Sequence, residues 1–251
     1  MRIKSFLGLS IAIAKTEFKL KNEGSYFGML WYLLNPILMF LLLFFVFSNR
    51  LGSNIEYYPV YLLLGIITFN FFQYATTEAT KQIIINDRLI KSIHFPYSAL
   101  IGGVVLKTLF SHIFEILVLI VFLLLFGISL QGVILYPAIL FFYFCFILGV
   151  SLLLSSVSVY FIDLEPIWIF ISRLLWFATP IFYAIDDHTK LYYINLFNPL
   201  YYFITVSRDI LIYHRIPHPQ ILISIVIFSI IPLVLGFIVF NRLKHKFPEM
   251  L

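Results

Sequence analysis

The chain has 251 residues, 62% of them hydrophobic and 19% aromatic, with 12% charged residues, a formal net charge of +5 and a mean hydropathy of +1.01. So much apolar surface excludes an ordinary soluble domain, and apolar stretches near 20 residues read as bilayer spans. The lone cysteine, Cys145, lies inside an apolar run, which excludes a disulfide framework or a cysteine-based metal site, and the basic excess reports orientation rather than nucleic acid.

The opening, MRIKSFLGLSIAIAK, has the basic start, apolar run and small residues of a signal peptide, but the run is short and interrupted. Residues 1–24 read better as a helix. At 100° per residue, Ile3, Phe6, Leu7, Leu9, Ile11, Ile13, Ala14, Phe18 and Leu20 fill one side, and Lys4, Lys15 and Lys19 form a narrow stripe opposite or flanking it. Such a helix lies in the membrane interface with its lysines near lipid phosphates. It is either a plain anchor or a helix that also meets an anionic, lipid-linked substrate, with Lys15, Lys19 and Lys21 at the entry level.

Six membrane spans follow, at about 30–48, 59–78, 99–126, 133–160, 165–184 and 219–240. The third is long enough to tilt or project from the bilayer. Between the second and third lies IIINDRLIKSIH, residues 83–94, which reads as a short amphipathic helix. Ile83, Ile85, Leu89, Ile90 and Ile93 share an arc, with Asp87, Arg88, Lys91 and Ser92 opposite, and Pro96 ends it. This helix either caps the bundle or shows its polar side to a cytoplasmic partner.

Within the third span, GGVVLKT at 102–108 is the nearest approach to a nucleotide loop. It lacks a glycine directly before Lys107 and is apolar, so it is rejected. His112 and Glu115 stand at i, i+3 with Lys107 on the same broad face. They form either a buried polar contact between helices or the catalytic set of a membrane-embedded enzyme.

The last stretch before the sixth span, residues 184–218, is too long for a simple turn. Phe182, Tyr183, Tyr192, Tyr193, Phe197, Tyr201, Tyr202, Phe203 and Tyr213 crowd around it, punctuated by Pro199 and the pair Asp186–Asp187. Short helices dipping back into the membrane are expected, which requires protein or a water-filled cavity to cover their backbone. The rings either form an interfacial belt or line a path along which aromatic faces pack on sugars. Tyr183, Tyr193, Tyr201, Tyr202 and Phe203 are the path candidates.

The connections also set the orientation. With the N-terminus inside, eleven Lys and Arg fall on the inside, before residue 22, between 81 and 91, and after 241. Four fall outside, namely Arg50, Lys190, Arg208 and Arg215, while Lys107 and Arg173 lie within spans. The bias puts both termini in the cytoplasm.

Several segments carry a resemblance along nearly the whole chain. They are KTEFKLKNEGSYFGMLWYLLNPI at 15–37, with its S-x-x-G-x-x-W and N-P, IKSIHFPYSALIGGVV at 90–105, VYFIDLEPIW at 159–168, LLWFATPIFYA at 174–184 and NLFNPLYYFITVSRDIL at 195–211. In order and spacing they resemble the membrane subunit of an ABC-2 type exporter of lipid-linked polysaccharides such as O antigen and teichoic acid. At 161–163 the family's F-R-D is here Phe161, Ile162, Asp163.

The resemblance implies an all-α, six-span protein of the inner membrane forming one transmembrane domain over residues 1–251. It would work as a homodimer among membrane lipids, each copy paired with a cytoplasmic ATPase subunit. ATP and Mg2+ would sit on that partner, with no cofactor on this chain. Asn86, Asp87, Arg88, Lys91 and Asp163 would be the coupling residues, and Trp31 would join the three lysines at substrate entry. Teichoic acid, capsule, small molecules and drugs are the alternative cargoes; the alternative of another class is an enzyme of lipid or glycan metabolism.

Overall fold

A computed structural model describes residues 3–22, 30–92, 95–185 and 189–251, and among these it leaves the side chains of residues 3–5, 21, 22 and 32 outside the description. Ile93, the pair Asp186–Asp187, and Ser25 and Gly28 of the S-x-x-G-x-x-W motif therefore lie outside the described residues, as do the side chains of Lys4 and Lys21. Every regular element described is helical. The order is α1 (Ile3–Asn22), α2 (Trp31–Leu51), α3 (Tyr58–Ile85), α4 (Asp87–Ser92), α5 (Ser98–Leu125), α6 (Tyr136–Ser158), α7 (Leu164–Ala178), α8 (Lys190–Asn195), α9 (Pro199–Leu211), α10 (Pro219–Leu243) and α11 (Phe247–Met250).

Five helices, α2, α3, α5, α6 and α10, are long and apolar enough to cross a membrane. α3 is the central one. Its residues 60–72 are buried without a break, as expected of a helix that is apolar all round. A left-handed Tyr57, with φ of 53°, turns the chain into it, and Pro59 occupies the first turn, where its missing N–H has no helical acceptor to lose. Its 28 residues span about 42 Å, more than the roughly 30 Å of bilayer hydrocarbon.

α6 and α10 cross backbone to backbone. A Cβ on Gly149 would stand 2.4 Å from the Leu233 nitrogen, and one on Gly236 would stand 2.4 Å from the Gly149 carbonyl oxygen. Small residues at a crossing permit this approach, and dispersion between backbones then replaces contact with lipid.

The fifth expected span, 165–184, is shorter as a helix. α7 has 15 residues, about 22 Å, because Pro180 forces Thr179 into an extended conformation with ψ of 138°. The chain nonetheless runs the length of the bundle. Glu165 at the start of α7 pairs with Lys81 at the end of α3, and Phe182 meets Tyr58 at the other end of α3.

The inner helix expected over 83–94 is corrected. α3 continues to Ile85, and Asn86 breaks it, its Nδ2 donating to the Gln82 carbonyl at 2.9 Å. α4 is described over Asp87–Ser92. The described part of the apolar arc therefore divides between two helices: Ile83 and Ile90 are buried, while Ile85 and Leu89 are exposed.

The apolar side drawn for α1 divides. Among the described residues Ala14 of that side is fully covered, as is Ser10, while Leu7, Ile11 and Leu20 are exposed. The covering element is α5. The Ser10 hydroxyl donates to the Ala99 carbonyl at 3.3 Å, and Gly102 and Gly103 leave room for Phe6, Ser10 and Ile13.

Candidate functional site

Three helices aim polar side chains into one cleft within the apolar bundle. α3 supplies Asn70, Gln73 and Tyr74 at i, i+3, i+4, α7 supplies Arg173, Trp176 and Phe177 at the same spacing, and α2 supplies Asn35 and Met39. These spacings put each set on one helix face. The cavity they line is about 320 Å³. The Asn35 Nδ2 donates to the Tyr74 hydroxyl at 2.5 Å. Trp176 sits edge-on to Phe69 at 4.9 Å, and the Trp168 indole donates to Thr76 at 3.0 Å, so α7 is fastened to α3 along its length.

Arg173 is exposed in this cleft. Placing an arginine at a helix centre in lipid costs about 2.5–3.5 kcal/mol on insertion scales. Such a position is retained when water, a ligand or another polypeptide covers it.

Beyond the cleft, residues 179–183 are irregular and would carry bare carbonyls. Those carbonyls are satisfied by side chains. The Arg208 guanidinium donates to Pro180 O at 2.7 Å, Ile181 O at 2.9 Å and Tyr61 O at 3.1 Å, and lies 3.3 Å above the Tyr61 ring. Tyr58 donates to Phe182 O and Tyr61 to Tyr183 O, both at 2.9 Å. Asn198 reaches Thr179 Oγ1 at 2.8 Å, and Asn195 reaches Ala178 O at 3.0 Å. Irregular backbone is tolerable at membrane depth when protein covers it in this way. Arg208, counted in the sequence among the loop charges, is buried and serves this segment.

Lys107, His112 and Glu115 divide into two clusters. Lys107 Nζ lies 2.9 Å from Glu17 Oε2 and also pairs with Glu78, while the Gln82 amide donates to Glu17 Oε1 at 2.6 Å. This ties α1 to both α5 and α3. Lys107 is thus committed to ion pairs, and Gly102 and Gly103 seat α1, so GGVVLKT is a helix-packing segment and cannot cradle phosphates. His112 bridges Glu115 at 2.9 Å and Tyr136 at 3.2 Å, with Phe71 stacked on it at 4.8 Å. His112 and Glu115 are buried between helices.

At the α4 end of the bundle, Arg88, Lys91 and Ser92 are exposed and Asp87 is half-buried, while Asn86 caps α3. Asp163 is exposed in the α6–α7 turn beside Phe161 and Ile162, and Ile162 is 80% exposed. Tyr160 of this turn donates to Leu243 O at 3.2 Å, and the buried Phe247 of α11 stacks on Tyr97. The C-terminal segment therefore sits between the turn and the start of α5. There a second cavity of about 290 Å³ is lined by Phe95, Pro96, Tyr97, Ser98, Lys244, His245 and Pro248.

On α1, Lys15 and Lys19 are exposed, and Trp31 is exposed at the start of α2. Of the aromatic candidates, Tyr193 is exposed and Tyr183 and Tyr201 are half-buried. Phe203 is fully buried against Tyr143 and Phe146, and Tyr202 is buried against Phe228 with its hydroxyl on Leu196 O. The sequence reading missed Asn35, Asn70, Gln73, Glu17 and Glu78. The signal was available, since polar residues inside apolar spans turn inward or serve function.

A bundle of apolar helices with a polar cleft between them defines a multi-pass membrane permease. The family described as ABC-2 type transporter matches residues 9–212, and the chain belongs to that family, as a transport subunit and not an enzyme. It is 31% identical over 247 residues to an O-antigen export system permease protein RfbA of Klebsiella pneumoniae, covering 97% of this chain and 95% of that protein. It is 25% identical over 248 residues to the protein of the same name from Myxococcus xanthus, with the same coverage.

Proposed function

We propose that the chain is the membrane half of an ATP-driven exporter that moves a lipid-linked polysaccharide, O antigen or a similar surface glycan, outward across the cytoplasmic membrane. It acts as a homodimer with two copies of a cytoplasmic ABC ATPase, which bind the ATP and Mg2+. The observation that carries this reading is the cleft of Asn35, Asn70, Gln73, Tyr74 and Arg173, walled by Trp176 and Phe177. A path for a glycan needs hydrogen-bonding groups and aromatic faces at membrane depth. The export role of the relatives named above agrees with it.

In this reading the chain makes six passes, α7 with residues 179–183 forming the fifth, and both termini are cytoplasmic. α1 is the interfacial helix, and Lys15, Lys19, Lys21 and Trp31 attract the carrier lipid. α4, with Asp87, Arg88 and Lys91, and the turn at Asp163 receive the ATPase, and Asn86 is the joint between α3 and α4. Tyr183, Tyr193 and Tyr201 continue the path on the outer side, while the buried Tyr202 and Phe203 hold α9 in place.

The test is reconstitution in liposomes. The chain alone should hydrolyse no ATP. With its ATPase it should carry polyprenyl-diphosphate-linked polysaccharide to the opposite leaflet, read by cleavage with a membrane-impermeant glycosidase. ATP-driven movement of a small amphiphilic dye without movement of the glycan assigns the chain to small-molecule export instead.

A further inference from the structure

We infer that Arg173 is the station at which the diphosphate of the polyprenyl carrier is neutralised on its way through the membrane. The inference rests on the export function proposed above and names the group that the cleft receives.

Arg173 lies nine residues into α7, about 14 Å along the helix from its start. It is exposed, and it has no ion pair or hydrogen bond with any described residue. A second copy of the chain offers no free partner from its long helices. Among the described residues, α2, α3, α5, α6, α7 and α10 carry three carboxylates, Glu78, Glu115 and Glu165, and each is engaged, with Lys107, His112 and Lys81 respectively. Glu165 on α7 itself is eight residues away, about 12 Å. In this inference the counter-charge for Arg173 is an anion that visits the cleft.

The rest of the cleft suits the same anion. The side-chain amides of Asn70 and Gln73 make no hydrogen bond with any described residue, although Asn70 is only 6% exposed. Both amides line the cleft, so a ligand there can accept from them. Arg173 offers a planar fork, which matches two phosphate oxygens, and the two amides supply further donors. The cavity of about 320 Å³ admits a diphosphate with part of its first sugar. A carrier diphosphate that crosses the bilayer must leave headgroup water, and this is the place where the chain replaces that water.

The test uses the complete permease–ATPase complex in nanodiscs of zwitterionic lipid. The probes are a short-chain polyprenyl diphospho-sugar, the corresponding neutral polyprenol and inorganic pyrophosphate. Stimulation of ATP hydrolysis gives the apparent affinity. Arg173→Gln should weaken the response to the diphospho-sugar by about ten- to a hundredfold, Arg173→Lys should fall between, and the response to the polyprenol should not change. Gln73→Leu, which removes a donor and leaves the charge, should weaken it less. If the wild-type complex responds to the diphospho-sugar and Arg173→Gln responds equally, the station is overturned while the export reading stands. If the wild-type complex ignores the carrier lipid altogether, the export reading fails and the station with it. Equal competition by inorganic pyrophosphate overturns the commitment to a lipid-borne group. A loss of dimer in Arg173→Gln with unchanged affinity per dimer shows that the arginine holds a second copy instead.

Discussion

Arg208 and Arg173 are the same side chain put to opposite uses. Arg208 is buried and donates to the carbonyls of Pro180 and Ile181, which the break at Pro180 leaves without helical partners, and also to the Tyr61 carbonyl of α3. Arg173 is exposed and donates to no described residue. The sequence could not separate them. The expected fifth span runs through Pro180 to residue 184, and the arginine that repairs the break at Pro180 is 28 residues further on, in the stretch expected to hold short helices dipping back into the membrane. Arg208→Gln should therefore destabilise the fold. Each buried carbonyl left bare costs about 1–3 kcal/mol, so a loss of about 3 kcal/mol or more is expected. Arg208→Lys keeps the charge but not the three-way fork, and should fall between. Thermal unfolding of the purified protein in detergent measures this, and an unchanged midpoint for Arg208→Gln would show that residues 179–183 need no such support.

α1 shows why a helical wheel is an incomplete guide to a membrane helix. In water the buried face is the apolar one, but against lipid the apolar residues face outward and small or polar residues face the protein. Ser10 and Glu17 bond to α5 and Ala14 is buried beside them, and of the three only Ala14 stands on the wheel's apolar side. The joint at Glu17 is built around charge. Lys107 stands between Glu17 and Glu78, and removing one partner of such a buried set costs about 3–5 kcal/mol, since the remaining charges are stranded. Lys107→Met should release α1, seen as loss of amide hydrogen-exchange protection over residues 6–20, and adding Glu17→Gln and Glu78→Gln should restore much of it. Retained protection in the single variant would mean that the glycine contacts alone hold α1. The inner helix expected over 83–94 also differs. The second span, expected to end near residue 78, instead continues as α3 to Ile85 and ends where the Asn86 side chain takes the Gln82 carbonyl.

Across the whole molecule the long helices were legible because each is an apolar run of bilayer length. The cleft was not, because it depends on which faces of α2, α3 and α7 meet, and a single sequence does not say so. The fifth pass, expected over 165–184, is open to test, since α7 is 15 residues and five other helices have spanning length and apolarity. Counting passes decides where the C-terminus lies. If α7 and residues 179–183 cross, Thr189 is outside and His245 is back in the cytoplasm. If they do not, Thr189 remains in the cytoplasm and the single crossing by α10 carries His245 outside. The basic bias favours six passes, and more strongly once the buried Arg208 is removed from the outer count, leaving Arg50, Lys190 and Arg215 there. In a Cys145→Ser background, single cysteines at Ser92, Ile162, Thr189 and His245, all exposed, read the count directly. With an impermeant thiol reagent on intact cells, Thr189→Cys should react, and Ser92→Cys, Ile162→Cys and His245→Cys should react only after the membrane is opened. Reaction at His245 with protection at Thr189 would establish five passes and put the C-terminal segment, with its cavity beside Tyr97, on the opposite side from any cytoplasmic ATPase. That outcome conflicts with the packing of Phe247 on Tyr97 and of Tyr160 on Leu243, which join the end of α10 to the start of α5 and the end of α6.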